Sequence, residues 1–125
     1  MTEKQLFHYL KKHHYCDLKK SSDEMSRWDC YSYIWGELIE LKCRQKHYDK
    51  LLIEKKKFDA LIKRARKSKA IYICSTPKGI YKFTLNDLSV KFYRREMPST
   101  THFENQEKIF KLVGYLHIQH AKQLK

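Results

Sequence analysis

Residues 37–43, Glu-Leu-Ile-Glu-Leu-Lys-Cys, limit most strongly what this chain can fold into. They read as a β-strand. Side chains alternate along a strand, so Leu38, Glu40 and Lys42 share one face while Ile39, Leu41 and Cys43 share the other. An acid and a base are thus set side by side in an otherwise apolar strand. Upstream lies Asp29, within a second stretch of strand character formed by Trp28, Cys30, Tyr31, Tyr33 and Ile34. Aspartate is disfavoured in strands, so Asp29 needs a reason.

A hairpin joining the two stretches supplies one. If it turns at Ile34-Trp35, Asp29 stands opposite Glu40, with Cβ atoms roughly 5 Å apart. If it turns at Trp35-Gly36, Asp29 faces Lys42 instead. A three-residue loop sends Asp29 to the wrong face, because a slip of one residue inverts every side chain. Two of these registers gather Asp, Glu and Lys at one spot. Paired carboxylates suit a hard divalent cation such as Mg²⁺. The lysine is then placed to orient a water or to offset charge on a phosphoryl group.

Asp29 followed, after a strand turn, by Glu40-Leu41-Lys42 resembles the D…(D/E)XK signature of the PD-(D/E)XK nuclease superfamily. Trp28 stands where that signature usually has Pro. The resemblance covers about the first two-thirds of the chain. It implies a nuclease that hydrolyses phosphodiester bonds with Mg²⁺ or Mn²⁺. It further implies that Asp29, Glu40 and the Leu41 carbonyl bind metal, and that Lys42 assists the attacking water. Many such nucleases carry an extra acid on the first helix, which makes Glu3 a further candidate ligand; first-turn charge that complements the helix dipole is its ordinary role. Glu24 is a second outlying acid, in a polar loop. A cross-strand salt bridge on a wet sheet face is the competing account of Asp29, Glu40 and Lys42.

Charge points the same way. Lys and Arg number 27 against 14 Asp and Glu, a net +13, which favours an anionic partner, nucleic acid being the commonest; for the nuclease reading DNA is the expected substrate ahead of RNA. Candidate phosphate contacts are Lys11 and Lys12 at the end of the first helix, Lys19 and Lys20 in the loop after it, and Lys63, Arg64, Arg66 and Lys67 further on. At 125 residues and 42% hydrophobic, residues 1–125 are expected to form one domain around one core. Cys16, Cys30, Cys43 and Cys74 form no C-x-x-C pair, so a reducing cytoplasm, of a bacterium or a phage-infected host cell, is the expected setting. No stretch approaches the apolar length of a membrane span.

Taken in order, residues 2–14 read as a helix. Thr2 and Gln5 make a capping box, and Leu6, Phe7 and Leu10 form its apolar face. Residues 16–25 read as a loop, with a short strand near Asp17-Leu18. Residues 47–67 carry Tyr48, Leu51, Leu52, Phe58, Leu61, Ile62 and Ala65 at helical spacing, and read as the longest helix. Lys55 falls on that stripe, so it must snorkel to water or meet an anion. The resemblance, whose members often set a polar residue on this helix beside the site, implies that Lys55 points at the acids. Lys56 and Lys57 lie off the stripe, as solvated side chains. Residues 70–75 read as a buried strand, 76–79 as a turn, 80–84 as a returning strand, and 90–95 as a basic edge strand. Thr101 and Glu104 make a second capping-box pair before a helix expected to run to about Lys122. His117 and His120, three apart on it, lack a third zinc ligand nearby in sequence.

The expected architecture is an α/β, restriction-endonuclease-like mixed sheet flanked by helices. The expected activity is metal-assisted phosphodiester hydrolysis. The alternatives are a non-catalytic basic nucleic-acid-binding domain, or a subunit of a replication or packaging complex.

Overall fold

The computed structural model describes residues 1–22, 29–98 and 108–125. Glu24, and the capping pair expected at Thr101 and Glu104, lie outside the described residues. In chain order the elements are α1 (Glu3–His13), β1 (Lys19–Lys20), β2 (Cys30–Ser32), β3 (Glu37–Cys43), β4 (Lys50–Glu54) and α2 (Lys55–Ala65). Then follow β5 (Lys69–Thr76), β6 (Gly79–Thr84), β7 (Tyr93–Pro98), β8 (Lys108–His117) and β9 (Lys122–Gln123).

β3 lies inside a six-stranded mixed sheet of order β1-β2-β3-β5-β6-β9. It pairs antiparallel with β2 and parallel with β5, in the register Glu37↔Lys69 through Cys43↔Ser75. β5 is apolar and buried on both faces, as the continuous run Ala70–Ser75 anticipates. Its inward residues alternate between two cores. Ile71 and Ile73, with Ile39 and Leu41 of β3, pack against Leu6, Phe7 and Leu10 of α1. Ala70, Tyr72 and Cys74 pack against Phe58, Leu61 and Ala65 of α2, with Leu51 and Ile53 of β4 and Leu116 of β8. The two helices therefore cover opposite faces of the sheet. The capping box of α1 is present: the Gln5 N–H donates to Thr2 Oγ1 at 3.1 Å, and the Thr2 N–H to Gln5 Oε1 at 2.9 Å.

Two expected helices are corrected. Residues 47–67 are not one helix, because β4 takes the first part and the helix starts only at Lys55. Leu51 and Ile53 alternate inward while Lys50 and Leu52 do not, and β4 is fixed by antiparallel pairing with β8, from Lys50↔His117 to Glu54↔Val113. The expected terminal helix is instead β8, which joins β4 and β7 in a three-stranded sheet of order β4-β8-β7. Gly114 sits at its centre because residues from the 90–92 segment press on it. A Cβ there would lie 2.5 Å from Val90 Cγ1 and 2.8 Å from the Lys91 carbonyl oxygen. Smaller shifts occur in the first strand, found at Lys19–Lys20, and in the basic edge strand, found at Tyr93–Pro98.

Candidate active site

The β2–β3 hairpin fixes the register on which the site depends. Cys30↔Ile39, Tyr31↔Leu38 and Ser32↔Glu37 are paired, with the turn centred on Ile34-Trp35. This is the register of a turn at Ile34-Trp35; pairing ends at Cys30↔Ile39, and Asp29 follows just beyond the strand, where its charge acts on Glu40. The Asp29 N–H donates to the Ile39 carbonyl at 2.9 Å, and Asp29 Oδ2 accepts the Leu41 N–H at 2.7 Å. An aspartate tolerates the end of this strand because its carboxylate takes over a ladder hydrogen bond.

Glu40 is buried on the α2 face of β3. Loss of solvent raises its carboxyl pKa above the ordinary value; an ion pair with Lys57 opposes that rise, and the charges of Asp29 and Glu3 add to it. Three acids thus act on one another. Glu3, in the first turn of α1, lines a small pocket with Lys4, Phe7, Lys20, Asp29 and Leu41. Burial, then the same carboxylates Asp29 and Glu40, push the Cys30 thiol up to about 12, so this cysteine stays a neutral core residue.

Lys42 lies two residues beyond Glu40 on the strand and is exposed. The lysine from α2 is a different one from that expected. Lys57 makes the ion pair with Glu40, whereas Lys55 pairs with Asp59 one turn along its own helix and sits over the Phe92 ring, 5.7 Å from its centroid. Lys55 faces the approach to β7, and its stripe position is explained by Asp59 and Phe92 rather than by the acids.

The candidate phosphate contacts divide between two regions. Lys11, Lys12, Lys19 and Lys20 are exposed around α1, with Lys20 Nζ 5.2 Å from the Phe7 ring centroid. Lys63, Arg64, Arg66 and Lys67 are exposed at the far end of α2, on the other side of the sheet. His117, the last residue of β8, and His120 just after it have ring centroids 5.9 Å apart. Among the described residues, no three His, Cys, Asp or Glu side chains form a group able to hold a metal by themselves.

A second polar cluster escaped the sequence reading. Glu37, at the start of β3, is buried on the α1 face. Tyr15 Oη donates to its Oε1 at 2.6 Å and Lys82 Nζ to its Oε2 at 2.9 Å. Burial, with the Glu37 contact adding to it, drives the Tyr15 phenol far above its ordinary pKa. This network ties the start of β3 to Tyr15 and to β6. The available signal was a charged residue at an inward strand position, in phase with Ile39 and Leu41.

A mixed sheet with α1 on one face, and α2 with a second small sheet on the other, is a restriction-endonuclease-like fold, the fold of the PD-(D/E)XK nucleases that the motif resembles. The solved structure of Archaeoglobus fulgidus Hjc, a Holliday junction resolvase from an archaeal hyperthermophile, superposes on it with a TM-score of 0.62, covering 98% of this chain and 88% of that one at 14% sequence identity. No protein-family model and no curated protein matches the sequence.

Proposed function

We propose that the chain is a single-domain, divalent-metal-dependent nuclease that hydrolyses phosphodiester bonds in DNA. The observation that supports this reading is the β2–β3 register, which leaves Asp29 at the strand end on the Leu41 N–H, with its charge and that of Glu3 acting on Glu40 and with Lys42 on the same strand. Likeness of fold to a Holliday junction resolvase supports DNA as the substrate class. The donor chemistry fits Mg²⁺ or Mn²⁺: carboxylate oxygens of Asp29 and Glu40, the Leu41 carbonyl and, as an outlying acid, Glu3. Burial is the main reason the Glu40 carboxyl is raised, and repulsion from Asp29 and Glu3 adds to it; a cation would relieve that repulsion.

When bound, such an ion supplies Lewis-acid stabilisation of charge on the phosphoryl oxygens and acidifies water. Lys42 orients the water that attacks phosphorus and balances the charge that grows there. The P–O bond to the leaving oxygen breaks, leaving one strand end with a phosphate and the other with a hydroxyl. Lys57 pairs with Glu40, which favours its ionised form and positions it. No helix among the described residues is long and apolar enough to cross a membrane. We place the protein in the cytoplasm of a bacterium or an infected host.

The test is cleavage of end-labelled DNA (single strand, duplex and four-way junction) in Mg²⁺, Mn²⁺ and EDTA. Cleavage is expected with either metal and absent in EDTA. Glu40→Gln and Lys42→Ala should each lose at least about a hundredfold, in line with removal of a charge-stabilising group, while binding persists through the other cations. Cleavage in EDTA, or undiminished cleavage by both variants, overturns the mechanism. Salt-dependent binding without cleavage in any metal establishes the non-catalytic binding domain instead.

A further inference from the structure

The tip of the β2–β3 hairpin presents three large apolar side chains in succession to solvent. Tyr33, Ile34 and Trp35 are 80%, 67% and 61% exposed. A contiguous exposed apolar run of this kind is a mark of an interaction site. The tip is also held rigidly. Asp17 accepts from Ser32 Oγ at 2.7 Å and from the Ile34 N–H at 3.0 Å, and Ser32 Oγ in turn accepts the Trp35 N–H at 3.2 Å. The Gly36 N–H closes the turn onto the Tyr33 carbonyl at 3.2 Å, with Gly36 at φ +61°, a conformation a side chain would strain. The Tyr31 and Tyr33 rings meet edge to face, centroids 5.0 Å apart. A turn whose backbone is fixed in this way pays little backbone ordering entropy when its side chains bind.

The surroundings decide which occupant. The Gly36 carbonyl accepts the Lys69 N–H at 2.8 Å, so the tip abuts the segment joining α2 to β5. That segment and the last turn of α2 carry the exposed cations Lys63, Arg64, Arg66, Lys67 and Lys69. A rigid aromatic platform bordered by cations matches a nucleic-acid base over a phosphate backbone, since every base offers a π-face and every linkage a negative charge. A base buried within an intact duplex stack cannot offer that face, so the chemistry selects nucleic acid with an unpaired or easily unstacked base.

Distance ties this platform to the acids. Glu37 follows the tip directly, and Glu40 lies three strand residues on, roughly 10 Å away at strand rise. α2 spans the same interval from the other side, with Lys57 at Glu40 and its basic end beside the tip. At about 3.4 Å per nucleotide along one strand, a base on the tip lies some three to five nucleotides from the phosphate at the acids.

We propose that Tyr33, Ile34 and Trp35 form a stacking wedge that, with the cations at the end of α2, binds DNA at an unpaired base. Where that base stacks fixes where the strand is cut. The binding half stands without catalysis; the spacing half rests on the nuclease reading.

The binding test is done in EDTA, so that it reads no chemistry. The probes are a duplex with a one-base bulge of 2-aminopurine and the same duplex fully matched. The parent should prefer the bulged probe by about tenfold, as expected of base–aromatic stacking, and should quench its fluorescence. Trp35→Ala and Tyr33→Ala should abolish the preference and the quenching while leaving matched-duplex affinity nearly unchanged; their side chains bear no core contacts, and thermal melts check that the fold persists. Lys67→Ser should weaken both probes alike and flatten the salt dependence. Equal parental affinity for the two probes overturns the wedge. So does quenching that survives in Trp35→Ala and Tyr33→Ala together, or a dimer in sedimentation that both variants dissolve, which would assign the tip to a second copy of the chain. In Mg²⁺, cuts should fall at one fixed spacing from the bulge. Cuts scattered along the duplex overturn the spacing half, whereas intact binding with no cuts at all refutes the nuclease reading and leaves the wedge standing.

Discussion

Lys57→Met tests whether the pair it forms with Glu40 is what keeps that acid ionised. The Glu40 side chain is 12% exposed and Lys57 49% exposed. Removing one partner from a pair buried on both sides costs about 3–5 kcal/mol, while a fully exposed pair is worth about 0–1 kcal/mol. Here the acid is buried and the lysine half in water, so solvent replaces part of what is lost. The expected cost near neutral pH is about 1.5–2 kcal/mol, between those limits. In a chain of this size that lowers Tm by roughly 5–10 °C. The sign with pH follows from Glu40. Its folded-state pKa lies above the ordinary 4.5, chiefly through desolvation, and Lys57 pulls it down. Between 4.5 and the folded value the folded state holds the extra proton, so this group makes stability fall as pH rises through that window. Without Lys57 the folded value climbs further and the penalty at neutral pH deepens. Once both states are protonated, below the ordinary value, the penalty disappears. Urea unfolding in EDTA should therefore show Lys57→Met clearly weaker than the parent at neutral pH and nearly equal to it at acid pH. Lys55→Met, which breaks only the exposed pair with Asp59, should cost no more than about 0.5 kcal/mol. Equal losses in the two variants, or a Lys57→Met deficit that does not shrink on acidification, refute the argument.

Asp29→Asn keeps an oxygen for the Leu41 N–H and removes one of the mutually repelling charges, so in EDTA the fold should be as stable as the parent or slightly more so. Millimolar Mn²⁺ should raise the parent's melting temperature and scarcely move the variant's; a variant that melts lower in EDTA with its metal response intact would mean a structural salt bridge. Lys82→Met leaves the Glu37 carboxylate buried with only the Tyr15 hydroxyl, and should cost about 3 kcal/mol or more in chemical denaturation; a loss under about 0.5 kcal/mol would remove the network from the account of stability. Gly114→Ala forces a methyl group against the Lys91 carbonyl and Val90, and should cost roughly 1–3 kcal/mol by the same measurement, whereas a neutral result would mean that the 90–92 segment yields freely.

Sequence was informative wherever neighbours in the chain decide the structure. The cap of α1 needs only Thr2 and Gln5. The β5–β6 hairpin needs only a buried run, a turn and a return. The β2–β3 register followed from counting across one short loop. The failures have one cause. Residues 47–54 hold apolar side chains compatible with both periods, and what selects the strand is pairing with residues 113–117, remote in sequence. Residues 108–117 were misread with them, since each strand exists only by virtue of the other. Gly114 was a usable signal, because a glycine inside a helix costs about 1 kcal/mol relative to alanine while a glycine inside a strand marks close backbone approach. The Tyr15–Glu37–Lys82 network joins three separated elements, and no local pattern contains it.

The exchange of Lys55 for Lys57 at the site is a consequence of the same misreading. A helix running from residue 47 would carry position 55 in its third turn, where a long side chain on the apolar stripe has to travel across buried surface. With β4 ending at Glu54, Lys55 is instead the first helical residue and meets Asp59 and Phe92 at the rim. Lys57 then falls within the first turn, beside the sheet, within reach of Glu40. α2 thus starts with three consecutive lysines and no acid in its first turn, against the preference of the helix dipole. Helix stability alone disfavours that arrangement, by about 0.3–1 kcal/mol for each charge at low salt. It becomes favourable only where negative charge lies outside the helix end. Glu40 answers Lys57 from outside the helix, Asp59 answers Lys55 from the next turn, and the N-cap residue Glu54 adds a further negative charge. On the proposed nuclease reading a bound phosphodiester adds negative charge beside Lys56, so lower ionic strength should tighten DNA binding, and the start of α2 should be steadier in the complex than in the unbound protein.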